Sequence, residues 1–271
     1  MTDIDRAFVA SLVAFVCSLV ASPLVYRLLI KTKSRQKISE YVPEHAEKQG
    51  TPTMGGIVVL VALAAGLFFV PAAQRTVPLI LLIGFAVVGF LDDFVLPRTG
   101  NDTRGLGWKP KFLLEIFFAV AAYWLGGVRD PWAMAFLVFV VLFFSNAYNF
   151  VDGMDALAGG IGVLLALGFC VVARLSVLDP SAALAVFVVM GALAAGFVPF
   201  LFYNAPPAKL FMGDVGALPI GALLGWAFLI VGRKSDLIAN GENLWVAVLM
   251  SGVLILELVP VPLQVLSAKL R

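Results

Sequence analysis

The 271-residue chain is 61% hydrophobic and 13% charged, with a mean hydropathy of +1.00 and a net charge of +2. This balance excludes an ordinary soluble domain, and the small net charge without a run of lysine or arginine argues against a nucleic-acid partner. The two cysteines, Cys17 and Cys170, lie in apolar runs without metal-ligand spacing, so thiol chemistry finds no support. We therefore expect an all-α bundle of membrane-spanning helices.

Nine apolar segments are candidates to cross the bilayer as helices. They cover approximately residues 7–30, 55–70, 77–91, 112–127, 132–150, 157–175, 182–203, 215–232 and 244–266. A cleaved signal peptide is the alternative for the first segment, but MTDIDR is not net positive and the apolar run is longer than usual for a signal. The connecting loops are too short to fold separately, so we expect one transmembrane domain over residues 1–271.

Lysine and arginine are distributed unequally between the two sides of such a bundle. The odd-numbered loops and the C-terminus carry 13 of the 19 basic residues. The positive-inside rule then places the N-terminus outside and the odd-numbered loops in the cytoplasm. The acidic clusters described next all fall on that cytoplasmic side.

The stretch SNAYNFVDGMDALAGG places two amides and two carboxylates three residues apart at the end of the fifth segment. They are Asn146, Asn149, Asp152 and Asp155. On a helix, residues three apart are neighbours, which predicts a polar ladder along one flank, with the helix ending near Gly153. Carboxylates are costly at a membrane core, which favours a functional role over the alternative of a plain polar helix end.

Two further acidic clusters lie on the same side of the predicted bundle. Asp92 and Asp93 in GFLDDF are adjacent at the end of the third segment, and like charges so close favour a divalent cation between them. Asp214 in NAPPAKLFMGDVGALPIG comes just before the eighth segment, where a helix N-terminus favours anions such as phosphate. A simple N-cap is the alternative interpretation of Asp214.

Small residues and lysines surround these clusters. The segment GTPTMGG, which contains Thr53, has small residues that could let a ligand approach the backbone. Four lysines share the predicted cytoplasmic side, namely Lys48, Lys109, Lys111 and Lys209. Carboxylates that hold Mg²⁺ or Mn²⁺ beside lysines that neutralise phosphate oxygens suit phosphoryl transfer. His45, the single histidine, is interpreted as a surface loop residue, so serine-triad chemistry finds no support.

Five segments carry a resemblance to a known family. KQGTPTMGGI, GFLDDF, GLGWKPKF, NAYNFVDGMDALAGG and NAPPAKLFMGDVGALPIG resemble, in order and spacing, the polyprenyl-phosphate N-acetylhexosamine-1-phosphate transferases, above all the branch with a muramoyl donor. The resemblance implies ten transmembrane helices, a possible homodimer, Mg²⁺ and a cytoplasmic cleft in the bacterial inner membrane. It also implies transfer of phospho-N-acetylmuramoyl-pentapeptide from its UDP-linked donor to undecaprenyl phosphate, giving lipid I and UMP.

The resemblance also implies roles for individual residues. Asp92, Asp93 and Asp214 match metal-binding and catalytic aspartates, with Asp92 similar to a proposed base for the lipid phosphate, and Asp152 matches a catalytic carboxylate in the polar ladder. The positions that match substrate contacts are Lys48, Thr53, Lys111, Asn149, Asp155, Asn204 and Phe211. A ring such as Phe211 beside uracil is physically reasonable, since stacking on a base contributes ~1 to 3 kcal/mol.

The chain departs from the family pattern at several places. Leu96 replaces a lysine, Ala156 a glycine and Ala217 a serine, the last two being mild changes. The sequence stops at QVLSAKLR, before the family's histidine-bearing loop and tenth span. We therefore expect a C-terminally incomplete transferase domain with little activity, the alternative being a shorter homologue that works with nine spans.

Two other functions remain as alternatives. A sister transferase would use UDP-N-acetylglucosamine, and a cation-coupled transporter would coordinate its ion with carboxylates at broken helices. A transporter should place those carboxylates near mid-span between related repeats, whereas the sequence places all five at helix ends and shows no repeat.

Overall fold

The computed structural model describes residues 2–32, 50–95, 105–175, 178–232 and 242–258. Several positions singled out from the sequence lie outside these ranges, namely His45, Lys48, Leu96 and the C-terminal part of the ninth predicted segment.

The described residues form helices and contain no β-strand. The helices are α1 (Asp3–Thr32), α2 (Ile57–Leu67), α3 (Ala72–Phe90), α4 (Trp108–Leu125), α5 (Pro131–Val151), α6 (Leu157–Leu175), α7 (Pro180–Asn204), α8 (Asp214–Val231), α9 (Glu242–Met250) and α10 (Gly252–Leu258). A π-helical turn, Leu91–Val95, extends α3.

Six of the helices are long and apolar enough to cross a membrane. They are α1, α3 with its π-helical turn, α5, α6, α7 and α8. Large apolar side chains such as Phe8, Phe139 and Phe202 point outward, as expected of a surface in contact with lipid. The prediction of an all-α polytopic membrane protein is confirmed, while the number and direction of the spans stay predictions.

Helices α5 and α7 begin in the same way, at the end of the bundle opposite the acidic clusters. Asp130 accepts a hydrogen bond from the Ala133 N–H at 2.6 Å, and Asp179 accepts one from the Ala182 N–H at 3.0 Å. A proline follows each aspartate at the first helical position, where its missing N–H costs nothing. The Asp-Pro pairs therefore fix the starts of two spans.

Helix α8 lies at the centre of the bundle, with nearly all of its side chains buried, and packs mainly against α3 and α5. A Cβ at Gly221 would lie 2.6 Å from the carbonyl oxygen of Phe144, so only glycine permits this approach of α5. At the same contact, the Ser145 hydroxyl donates to the Leu218 carbonyl at 2.9 Å. Small residues and interhelical hydrogen bonds are the usual means of helix association in lipid.

The ninth predicted segment is not one continuous helix in the structure. Helix α9 ends at Met250 and α10 begins at Gly252, with Ser251 as a turn between them. A Ser-Gly pair is a common site of helix interruption. Helical hydrogen bonds continue on both sides of this turn, from the Ser251 N–H to the Ala247 carbonyl at 3.0 Å and from the Ile255 N–H to the Ser251 carbonyl at 3.1 Å, and the ninth span stays a prediction.

Candidate active site

Four helix ends meet at one end of the bundle and bring distant parts of the sequence together. The π-helical turn after α3 carries Asp92 and Asp93, and the first turn of α4 carries Lys111. The last turn of α5 carries Asn149, and α8 begins with Asp214. A π-helical turn is uncommon and is found frequently at functional sites.

Asp92, Asp93 and Asp214 form an acidic triad. One carboxylate oxygen from each lies within 4.8 Å of the others, and all three side chains are partly buried. Two backbone N–H groups hold the triad in place, since Leu106 donates to Oδ1 of Asp92 and Val215 donates to Oδ2 of Asp93 at 3.0 Å. Hydrogen bonds to a charged oxygen are stronger than neutral ones, so these two bonds restrain the orientation of Asp92 and Asp93.

Lys111 and Asn149 donate hydrogen bonds to the two carboxylate oxygens of Asp214. The Lys111 ammonium donates to Oδ2 of Asp214 and lies 3.7 Å from Oδ2 of Asp92. Asn149 donates from Nδ2 to Oδ1 of Asp214 at 2.8 Å. The lysine thus supplies a positive charge at the point where the carboxylates face one another.

Asp214 is not the N-cap of α8. It is the first helical residue, and the N-cap position belongs to Gly213, which adopts a positive φ of 73°. The N–H of Val215 is satisfied by Asp93 from another helix, which leaves the Asp214 carboxylate to face Lys111. The N-cap interpretation is therefore wrong.

The predicted four-membered polar ladder is interrupted where α5 ends. Asn146 and Asn149 lie on the helix, Asp152 is its C-cap, and Asp155 lies beyond it. Burial raises the pKa of Asp152 well above its ordinary value, and the negative charges of Asp214 and Asp93 add to the rise. The ladder prediction fails for Asp155 because the chain leaves the helical path at Asp152.

Asp155 and Asn204 fasten the loop before α8 to the turn after α5, and we call them the loop clamp. Oδ2 of Asp155 accepts from the Ala208 N–H at 3.1 Å. Asn204 is buried, donates to the Leu210 carbonyl at 2.9 Å and accepts from the Ala156 N–H at 3.0 Å. In the structure, both residues therefore contact backbone groups of the chain itself.

The segment GTPTMGG packs against the same loop. Gly55 donates to the Phe211 carbonyl at 2.7 Å, and the Phe211 N–H donates to the Pro52 carbonyl at 2.9 Å. A Cβ at Gly56 would lie 2.3 Å from Cα of Gly216, so the small residues let this chain approach itself closely. At Gly55 and Gly56 the small residues serve this packing, and ligand access to the rest of the segment stays a prediction. Thr53 is buried in the same contact.

Glu115 is a polar residue of the site region that the sequence analysis missed. It lies on α4 with no exposed surface, and its Oε2 accepts from Nδ2 of Asn146 at 2.7 Å. The available signal was a carboxylate inside an apolar segment predicted to span the membrane, which is costly and often functional.

A cavity of about 330 Å³ opens between α4 and α5 beside Lys111. Its walls combine aromatic and polar side chains, namely Trp108, Lys111, Phe112, Asn146, Asn149 and Phe150. The three aromatic residues are exposed on the outside of the bundle, and Trp108 is 75% exposed. The cavity thus connects the lysine with a surface that carries apolar side chains.

Two departures from the family pattern differ in their structural effect. Ala217 is fully buried in α8 and fits there, as expected of a mild change. Ala156 adopts a positive φ of 62°, a conformation that favours glycine, so its side chain strains the backbone. We therefore expect Ala156 to lower the stability of the fold, so it is not the mild change that the sequence comparison suggested.

Comparisons with known proteins agree with the geometry. The model of glycosyl transferase family 4 matches residues 75–232, and a phospho-N-acetylmuramoyl-pentapeptide-transferase signature matches residues 48–60. Proteins with that name from Staphylococcus epidermidis (strain ATCC 12228 / FDA PCI 1200) and Staphylococcus aureus (strain JH9) are 32% and 33% identical over 97% of this chain and 85% of their own length. The chain therefore belongs to glycosyl transferase family 4, a family of divalent-cation-dependent transferases, and within it to the phospho-N-acetylmuramoyl-pentapeptide-transferases.

Proposed function

We propose that this chain transfers phospho-N-acetylmuramoyl-pentapeptide from its UDP-linked donor to undecaprenyl phosphate, giving lipid I and UMP for peptidoglycan biosynthesis. The relatives named for this transfer align with 97% of the chain. The observation that carries the proposal is the acidic triad around Lys111, since phosphoryl transfer relies chiefly on positioning and charge stabilisation.

The triad fits a hard divalent cation. Its three carboxylate oxygens within 4.8 Å are the ligand type that Mg²⁺ prefers, and we assign Mg²⁺, with Mn²⁺ as a substitute, to Asp92, Asp93 and Asp214. When bound, the ion would neutralise negative charge on the phosphate oxygens.

The residues around the triad act on the acceptor phosphate. Asp92 is assigned as the base that takes a proton from the lipid phosphate, whose oxygen then attacks the phosphorus that carries the sugar while UMP leaves. The Lys111 ammonium, near both Asp92 and Asp214, neutralises a phosphate oxygen. Asn149 keeps Asp214 oriented, and Asp152 is assigned to the same catalytic group.

The cavity beside Lys111 is assigned to the acceptor lipid. Its aromatic wall of Trp108, Phe112 and Phe150 lies on the outer surface of the bundle, where a prenyl chain can remain in the bilayer. Lys111 and Asn149 line the same cavity and offer polar partners to the phosphate. This arrangement lets an apolar chain and a charged group approach one site together.

The loop clamp and its neighbours are assigned to the uridine donor. The candidates are Lys48, Thr53, Asp155, Asn204 and Phe211, of which Lys48 lies outside the described residues. Both polar atoms of the Asn204 amide already bind backbone groups, so we assign it an indirect role in holding the loop that carries Phe211. The Phe211 ring would stack on uracil, an interaction of ~1 to 3 kcal/mol per base.

We also propose that the chain is a single catalytic domain of the bacterial cytoplasmic membrane, with its N-terminus outside and this site on the cytoplasmic face. The excess of basic residues in the odd-numbered loops supports that direction. A homodimer is proposed from the family resemblance. The transporter alternative gains no support, because the triad, Asp152 and Asp155 lie at or beyond helix ends and not at mid-span.

An assay that compares the two candidate donors tests the proposed function. Purified chain in lipid nanodiscs receives polyprenyl phosphate and Mg²⁺ with either UDP-N-acetylmuramoyl-pentapeptide or UDP-N-acetylglucosamine, and UMP release and lipid product are measured. We expect product only with the muramoyl donor, and Asp93→Asn is the matched inactive control. Consumption of UDP-N-acetylglucosamine alone would show that the sister transferase is the correct assignment.

A further inference from the structure

Glu115 is a buried carboxylate to which the proposed transfer step assigns no role. It lies one helical turn after Lys111 on α4, so the two side chains are neighbours on one flank. One of its oxygens, Oε2, is bound by Asn146. Among the described residues, the other oxygen, Oε1, is buried and has no hydrogen-bond partner. An unsatisfied buried acceptor is costly, so a second state in which it is satisfied would explain its presence.

Asn146 cannot satisfy the free oxygen in its observed orientation. Its Nδ2 donates to Oε2 of Glu115 at 2.7 Å and to the Leu142 carbonyl at 2.9 Å. A side-chain amide has two N–H donors, and both are used in these two contacts. Asn146 therefore fixes the carboxylate of Glu115 and leaves Oε1 available for another donor.

Lys111 is the donor that a divalent cation would displace. One oxygen each of Asp92, Asp93 and Asp214 is bound by Leu106 N–H, Val215 N–H and Asn149, respectively. The Lys111 ammonium bonds to the remaining oxygen of Asp214 and lies 3.7 Å from that of Asp92. A cation bound to those oxygens needs the position that the ammonium occupies.

We propose that Glu115 is a positioning residue for Lys111, which receives the ammonium on Oε1 when a divalent cation enters the acidic triad. This inference rests on the cation site of the proposed function. Lysine has a flexible stem and three donors, so its ammonium can turn from Asp214 to a carboxylate one turn away. The exchange satisfies the buried oxygen and keeps Lys111 beside the cavity assigned to the lipid phosphate.

A double-mutant cycle on cation affinity tests this role without using activity. Mn²⁺ binding to purified protein without substrates is measured by the paramagnetic resonance signal of free Mn²⁺, for the unmodified chain, Glu115→Gln, Lys111→Met and the double variant. We expect Glu115→Gln to weaken binding about tenfold, because the displaced ammonium loses its acceptor. In the Lys111→Met background, where nothing is displaced, the same substitution should have no effect.

Two results would overturn the inference. An equal loss of affinity in both backgrounds would show that Glu115 acts through its own charge and not through Lys111. Unchanged affinity in the single variant would show that the ammonium needs no receiving carboxylate. If Glu115→Gln does not fold, Glu115→Met replaces it in the cycle, since it is of similar length and introduces no buried polar group.

The controls separate this inference from the proposed function. Asp130→Asn removes one negative charge at the opposite end of α5, keeps a good N-cap residue and should leave Mn²⁺ affinity unchanged. An unmodified chain that binds no Mn²⁺ would refute the cation site itself, and with it this inference. An unmodified chain that binds Mn²⁺ but shows no coupling between Glu115 and Lys111 would refute only the positioning role.

Discussion

The acidic triad and the loop clamp lie at the same end of the bundle and use their polar atoms in opposite ways. In the triad, one oxygen each of Asp92, Asp93 and Asp214 lies within 4.8 Å of the others, and Lys111 lies near Asp92 and Asp214. In the clamp, Asp155 and Asn204 direct their polar atoms at backbone N–H and C=O groups. We therefore expect the triad to serve the chemistry despite its mutual repulsion, and the clamp to contribute to folding. Substitutions should therefore separate loss of activity from loss of stability.

The largest effect is expected from removing a triad charge. Asp93→Asn or Asp214→Asn should lower kcat by a factor of about 10² to 10³ or more, the range seen when a stabilising group is lost from a charged transition state. Thermal unfolding of Asp93→Asn should be unchanged or shifted upward, because repulsion among the carboxylates is relieved, whereas Asp214→Asn also loses the ion pair with Lys111 and should not gain stability. UMP release and melting curves are compared with those of Asp130→Asn. Normal turnover with normal metal dependence would show that the triad is not the catalytic centre.

The clamp should give the opposite pattern. Asn204→Ala leaves the Leu210 carbonyl and the Ala156 N–H without partners, which should cost about 1 to 3 kcal/mol of stability. The loop that carries Phe211 should then bind the donor less well, so KM for the UDP-linked donor rises more than kcat falls. Chemical denaturation and donor titrations measure both effects. A large loss of kcat at full stability would place Asn204 with the triad instead.

Gly213 lies between the triad and the segment GTPTMGG, which packs on the loop that the clamp holds. A Cβ there would lie 2.6 Å from Oδ2 of Asp93 and 2.7 Å from Oγ1 of Thr53, and the positive φ of 73° strains any other residue. Gly213→Ala should therefore cost about 1 to 2 kcal/mol and also lower activity by displacing Asp93. Gly153→Ala is a matched control, since the nearest atom to a Cβ there is 3.8 Å away. Equal behaviour of the two variants would contradict the close contact at Gly213.

The smallest expected effect is a gain in stability at Ala156, the residue whose N–H donates to Asn204 of the clamp. Ala156→Gly relieves a left-handed backbone conformation at φ 62° and should stabilise the chain by about 1 kcal/mol. The Ala156 N–H bond to Asn204 is kept in this variant, so the donor KM should change little. Thermal unfolding checks the prediction, and a lowered melting temperature would show that the strain is absent.

The sequence was sufficient to predict where helical segments lie, but not which segments contact one another. Apolar length predicted nine helical segments, because a spanning helix needs a long apolar run. It could not show that GTPTMGG packs on residues 210–216, since such an approach depends on tertiary packing of small residues. The break at Ser251 depends on the local Ser-Gly pair, which hydropathy does not detect.

The sequence predicted which charged residues form the site but not how their side chains are arranged in space. Adjacent Asp92 and Asp93 indicated a cation from charge repulsion alone, and the structure brings Asp214 and Lys111 to them. The sequence correctly predicted that this helix ends near Gly153, but the three-residue spacing wrongly counted Asp155, which lies beyond that end, in the ladder. Glu115 lies inside an apolar segment and away from the acidic motifs of the loops, and the cost of a carboxylate in a membrane is the signal that identifies it.

We expect the triad to hold the divalent cation and the clamp to hold the loop. The most direct test of this expectation is a Mn²⁺ titration of the purified chain without substrates, with Asp93→Asn and Asp214→Asn compared against Asp155→Asn. We expect one ion for each unmodified chain, binding lost or weakened at least tenfold in the two triad variants, and affinity retained in Asp155→Asn. Binding that survives in Asp93→Asn and Asp214→Asn, or that fails equally in Asp155→Asn, would contradict it.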